Sequence, residues 1–144
     1  MNEQNTQRLY RDFPRLFRKR DGAMAWGIAC GDGWVGLICE LSRGIEDKSR
    51  EFGLLPESDI SPVVVQVKEK FGTLSFYLDF PSGDNDDKTF ISAIRQLVIR
   101  AADQSSKTCE RCDHPSMLRR GGWWHAYCDS CEEDYQSGKR RGQD

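Results

Sequence analysis

Four of the six cysteines fall into two pairs toward one end of this 144-residue chain. Cys109-Glu110-Arg111-Cys112 and Cys128-Asp129-Ser130-Cys131 each set two residues between thiols, and fifteen residues separate the pairs. Two intervening residues let both sulfurs of a pair reach one ion at about 2.3 Å, and the spacer leaves room for a β-hairpin. The spacing predicts one Zn2+ held by Cys109, Cys112, Cys128 and Cys131. Four thiolates close the coordination sphere to water and substrate, which makes the ion structural rather than catalytic. Such an ion would also explain how a segment of about 35 residues folds without a sufficient core of its own. Two disulfides are the competing reading. They need an oxidising compartment, and Met1-Asn2-Glu3-Gln4-Asn5-Thr6 carries neither the basic nor the apolar region of an export signal. Redox use of a C-x-x-C pair would want a thioredoxin-like βαβ setting. His114 and His125, the two histidines of the chain, are the alternative ligands. Cys30 and Cys39 read as small buried hydrophobes.

Other chemistry is thinner. Gly31-Asp32-Gly33-Trp34-Val35-Gly36 matches G-x-G-x-x-G, but a dinucleotide fold needs a following parallel strand with an acid about 20 residues on. The next clear strand enters a hairpin instead, and Trp34 would crowd a pyrophosphate. G-x-S-x-G, Walker A and H-E-x-x-H motifs are absent from the sequence, and neither histidine has an obvious nucleophile beside it. The expectation is a protein that is not an enzyme, and the sequence identifies no small-molecule substrate. Arg119, Arg120, Trp123, Trp124, His125 and Tyr127 lie within nine residues. Arginine and tryptophan dominate interface hot spots, and interleaved basic and aromatic residues also suit phosphates and bases. Arg119, Arg120, Trp123 and Trp124 are therefore the candidate partner surface. Adjacent tryptophans on a strand face opposite ways, which predicts one buried and one exposed. Lys68 and Lys70, flanking Glu69 at the end of a hairpin, form a second candidate contact.

These residues need a scaffold. Leu9, Tyr10, Phe13, Leu16 and Phe17 are helically spaced, with Thr6 as N-cap and a break at Pro14. Met24–Cys30 reads as a short strand or extended lead-in. Trp34, Leu37, Ile38, Leu41 and Ile45 mark a helix over about 33–52, with Asp32 as cap, Gly53 just past its end and Pro56 beyond. Residues 62–68 and 73–80 alternate as two antiparallel strands around Glu69-Lys70-Phe71-Gly72. After a polar loop at 81–87, in which Asp86 or Asp87 can cap, a third helix runs from about Lys88 to Ser105. The expected fold is α+β: an antiparallel hairpin of two to three strands covered by helices over 1–104. A four-cysteine zinc module of treble-clef or zinc-ribbon type follows over 105–138. It is expected to dock through Trp123 or Trp124, with Gly121-Gly122 turning its hairpin. A basic polar tail over 139–144 ends the scheme.

Hydrophobic residues make up 38% and charged residues 31%, with a mean hydropathy of -0.69. Four Trp, seven Phe and four Tyr argue against disorder. No apolar run approaches the roughly 20 residues of a membrane span. The net charge of -2 excludes a uniformly basic nucleic-acid coat. Charge is nonetheless uneven. Residues 1–20 carry six basic against two acidic residues, and 40–60 carry six acidic against three basic. Residues 105–144 carry seven of each, so four thiolates around a divalent ion would make that region negative.

Three blocks carry a resemblance: Trp26-Gly27 with Cys30-Gly31-Asp32-Gly33-Trp34; Gln66-Val67-Lys68-Glu69-Lys70-Phe71-Gly72 with Leu74, Phe76 and Tyr77; and the cysteine pairs bracketing Arg119-Arg120-Gly121-Gly122-Trp123. Over most of residues 24–132 the chain resembles small bacteriophage- and prophage-encoded proteins of Gram-negative bacteria. The resemblance brings no catalytic residues. It implies a host-cytoplasmic setting and roles in regulation or in countering host defences. Two functions follow as expectations. The first is binding to a host protein or complex, as a possible inhibitor. The second is a nucleic-acid-binding regulator using the zinc hairpin, for which the basic N-terminus and Lys139-Arg140-Arg141 speak.

Overall fold

The computed structural model describes residues 1–19, 27–55, 57–81 and 88–141. Residues 24–26 of the lead-in, Pro56, the Asp86/Asp87 cap and the last three residues of the tail lie outside the described residues. The chain is α+β, in the order α1 (Glu3–Asp12), β1 (Ile28–Ala29), a 3₁₀ turn (Asp32–Trp34), α2 (Val35–Glu51), β2 (Val63–Lys70), β3 (Thr73–Asp79), α3 (Lys88–Ser105), β4 (Met117–Arg119), β5 (His125–Tyr127) and α4 (Asp129–Arg141). β2 and β3 form the expected antiparallel hairpin, with an irregularity between Val64 and Gln66. The third strand corrects the antiparallel expectation, because β1 pairs with β2 in parallel, Ile28 beside Val67 and Ala29 beside Lys68. A second, two-stranded sheet joins β4 to β5.

The hairpin turns on Phe71 and Gly72, both at positive φ (51° and 78°). That is the signature of the two-residue turn whose twist matches the flanking strands. The strand therefore runs through Lys70, and Lys68 lies on the sheet rather than at its tip. Alternation puts Val67, Leu74 and Phe76 under the helices, where they are buried with Ile38, Leu41 and Ile45 of α2 and Phe90 and Ile94 of α3. α2 ends as its sequence predicts. The Leu54 amide donates to the Ser49 carbonyl (2.8 Å) and the Gly53 amide to Arg50 (2.9 Å), the paired bonds of a glycine-terminated helix.

Two caps differ from expectation. Asn2, not Thr6, caps α1, its side chain accepting from the Asn5 amide at 2.8 Å, while the Thr6 hydroxyl donates back to the Asn2 carbonyl. Asp32 does not cap its own helix. Its carboxylate accepts from the Asn2 backbone amide (2.8 Å) and the Asn5 side chain (3.0 Å), tying α1 to the start of α2. Four of the six basic residues of the N-terminal stripe have partners within the fold. Arg8 and Arg11 meet Asp12, and Arg15 meets Asp59 at 2.7 Å. Arg18 donates to the carbonyls of Arg15, Asp59, Ser61 and Pro62.

Candidate metal centre and the surface beside it

The four paired cysteines converge. Their Sγ atoms all lie within 4.8 Å of one another, and they form the one metal-capable cluster of cysteine, histidine or carboxylate groups among the described residues. Cys109 sits at the end of a turn after α3 and is fully buried. Cys128 and Cys131 flank the first turn of α4. The Cys112 and Cys128 sulfurs are 3.6 Å apart. A tetrahedron with 2.3 Å metal–sulfur bonds has edges of about 3.8 Å, so the spacing suits an ion at the centre. All six cysteines are free thiols, as the metal reading requires. The donor set therefore fits a structural metal ion.

Electrostatics around the sulfurs point the same way. Burial alone would raise the Cys109 thiol, but backbone N–H groups of Cys128, Arg111 and Cys112 donate to it and bring it down to about 7. Cys131 is pushed up, by burial first and then by its hydrogen bonds with the other three thiols. Four thiols this close cannot all ionise without a cation among them. His114 stays outside the cluster, its Nδ1 3.2 Å from the Cys112 sulfur. His125 is buried elsewhere, with Nε2 2.6 Å from Glu132 and Nδ1 3.0 Å from the Trp123 carbonyl. Cys30 is buried, and burial, ahead of the nearby Glu110 carboxylate, pushes its thiol up to about 12. It is an inert packing residue, as is buried Cys39.

The G-x-G-x-x-G run has a different use from phosphate binding. The Gly33 amide donates to the Glu110 carbonyl (2.8 Å), the Gly31 amide to the Glu110 carboxylate (2.9 Å), and the Trp34 indole N–H to the Thr108 carbonyl (2.9 Å). A Cβ on Gly33 would stand 2.7 Å from the Asp113 amide nitrogen and closer still to the Cys109 carbonyl oxygen. The loop is glycine-rich because the backbone of the first cysteine pair occupies the space that side chains would need. A second contact joins the hairpin turn to the metal-bearing hairpin, where a Cβ on Gly72 would overlap Leu118 and come within 3.2 Å of the His125 amide nitrogen. Ala126 completes the junction inside the main core.

This junction adds to the expected docking through Trp123 or Trp124, of which Trp124 meets the main hairpin at Phe71. The structure corrects the expectation that one indole is buried. Both tryptophans lie in the loop between β4 and β5 rather than on a strand, and they are 41% and 38% exposed. Trp123 stacks on His125 at 4.3 Å and meets Tyr127 and Tyr135 at its edges. Trp124 faces Phe71 of the hairpin turn at 6.3 Å. Between them, Glu69, Phe71, Gly121, Gly122, Trp123 and Trp124 line an open cleft of about 660 Å³. Phe71 and Glu69 were not legible as a pair with the tryptophans, since some fifty residues of sequence separate them. The available signal was a bulky residue at the turn position that prefers glycine or asparagine. Phe71 holds that strained position while 68% exposed.

The basic candidates divide. Arg119 is engaged within the module, its Nε donating to the Tyr127 carbonyl (2.9 Å) and its guanidinium pairing with Asp129 (2.6 Å). Arg120 lies over the Trp124 ring at 5.1 Å and Lys70 over Phe71 at 5.9 Å, so a cation sits against each of two cleft rings. Lys68 lies over Tyr77 on the open face of the sheet. Glu69 turns the other way, toward the cleft, and its carboxylate accepts from the Gly72 amide (2.7 Å). No helix among the described residues is long and apolar enough to cross a membrane. Comparison with protein-family models, curated proteins and solved structures gives no match to the chain.

Proposed function

We propose that the chain is a non-enzymatic, zinc-stabilised, phage-type binding protein whose cleft receives another protein. Zinc is the metal that best suits four thiolates in a closed tetrahedral set. The order of knuckle, hairpin and helix around the cysteines supports a treble-clef module. The observation that carries the reading is the cleft itself. Three aromatic rings contributed by two rigid hairpins stay exposed around a concave, glycine-floored space, with Arg120 and Lys70 against two of the rings. Side chains pre-set on a metal-anchored loop lose little further entropy on binding, and a desolvated aromatic pocket is where hot spots concentrate. These cations favour a partner segment with an apolar anchor flanked by carboxylates. A host protein or complex, inhibited by this contact, is the role that the phage resemblance suggests.

The alternative is single-stranded nucleic acid, with bases on Trp124 and Phe71 and phosphates on Arg120 and Lys70. Against it stand the net charge of -2, a carboxylate inside the cleft, and the commitment of Arg8, Arg11, Arg15 and Arg18 to internal pairs. A photo-crosslinking residue at position 124 tests the choice. We expect a nuclease-resistant protein adduct that is lost with Phe71→Ala and kept with Tyr77→Ala on the open sheet face. An adduct abolished by nuclease, with affinity for oligonucleotides falling steeply with log salt, would favour the alternative.

A further inference from the structure

A second groove lies on β3 and α3 and shares no lining residue with the cleft. β3 is the outer strand of the three-stranded sheet. In a two-residue hairpin the pair flanking the turn, Lys70 and Thr73, exchanges hydrogen bonds, and pairing alternates from there. Thr73, Ser75 and Tyr77 thus bond to β2, while the N–H and C=O of Leu74, Phe76 and Leu78 point away from it. The Leu74 amide shows this directly, donating outward to the Ser105 hydroxyl at 2.8 Å. Among the described residues nothing takes up the outward groups of Phe76 and Leu78.

Proteins protect such edges with lysine, proline or a bulge. β3, Thr73-Leu74-Ser75-Phe76-Tyr77-Leu78-Asp79, has neither lysine nor proline, and the irregularity of the sheet belongs to β2, where Val65 has no partner on β3. Beside the edge runs a groove of about 350 Å³ between the strand and α3, with Phe76, Leu78, Phe80, Ile94 and Val98 in its wall. Ile99, 58% exposed, and Tyr77 sit at its rim. Arg95 is its one charged lining residue and has no ion pair among the described residues.

We propose that this edge takes an extended segment of a partner protein as a fourth strand, with alternate apolar side chains in the β3–α3 groove and a carboxylate on Arg95. A residue bonded opposite Phe76 or Leu78 points its side chain to the same face of the sheet, into the groove. Main-chain bonds supply affinity and the groove selects side chains, as in other strand-addition sites. A second copy of the chain fits less well. It would bring a second Arg95 and no carboxylate except Asp79, which has an interaction of its own.

The probe is the peptide acetyl-Thr-Val-Thr-Val-Thr-Glu-Thr-amide, in which the glutamate shares the face of the valines, titrated into the intact protein and followed by backbone amide NMR. We expect the Phe76 and Leu78 amides to shift while those of Gly121 and Gly122 stay. N-methylation of the valines, whose N–H groups would face β3, is expected to weaken binding about tenfold or more, and N-methylation of the threonines less than about twofold. Ile99→Asp, on an exposed position, should weaken binding without loss of fold. Absence of shifts at millimolar peptide, equal loss from both methylated series, or a concentration-dependent dimer through Phe76 and Leu78 would each overturn the proposal.

Discussion

Serine in place of Cys112 is expected to strip residues 108–135 of hydrogen-exchange protection before the helices and sheet of the main core lose theirs. The segment holds β4 and β5 of three residues each, and Cys109, Ala126, Tyr127, Glu110 and His125 are its buried side chains among the described residues. Beyond the junction, a metal on the four cysteines would be its main source of order, since binding in comparable small sites is worth on the order of 10 kcal/mol. Removing one of four thiolates should cost about 4 kcal/mol, or roughly a thousandfold in protection factors over that stretch. The core keeps Leu74, Phe76, Phe90, Ile94, Ile38 and Ile45 and should open later. Simultaneous loss of protection along the chain would show that the junction makes the two parts one cooperative unit.

Alanine at Gly33 is the second large effect. The added methyl would meet the Cys109 carbonyl and the Asp113 amide nitrogen, both backbone atoms held by the cysteine knuckle. Neither can swing aside as a side chain would, so the junction has to open. The Gly33 bond to the Glu110 carbonyl and the Trp34 bond to Thr108 would go with it. We expect a loss of about 3 kcal/mol in urea unfolding, at the upper end for overpacking. Gly36→Ala is the control. Outside its chain neighbours and its own helix backbone, no atom lies within 4 Å of its added methyl, and alanine should stabilise α2 by up to about 1 kcal/mol. Unchanged stability in the Gly33 variant would remove the junction from the account. This pair of variants also separates packing from phosphate binding, which would need all three glycines of the run.

The contrast between these glycines shows what the sequence could and could not tell. Periodic apolar residues placed α3 at Lys88–Ser105 and the hairpin at β2–β3, because each burial pattern is local and long enough to read. The cysteine cluster was legible for the same reason, since its spacing is itself the geometry. The parallel pairing of β1 was not, because two residues carry no periodicity and their partner lies nearly forty residues away. A glycine-rich loop before a helix looks alike whether phosphate or another backbone fills the space beside it. Only the approach of Glu110 and Cys109 decides between them. Adjacent tryptophans face opposite ways only on a strand, and Trp123 and Trp124 belong to a loop, whose backbone carries no such alternation.

The central claim is that Cys109, Cys112, Cys128 and Cys131 together hold one metal ion that fixes the loop bearing Trp123 and Trp124. Native mass spectrometry of the purified protein, paired with elemental analysis and a thiol count after chelation, tests it most directly. The account predicts one zinc per chain, six free thiols once the metal is removed and the chain unfolded, and four of these shielded from alkylation in the folded chain only while the metal is bound. A chain without metal, or one whose native mass shows two disulfides, would contradict it.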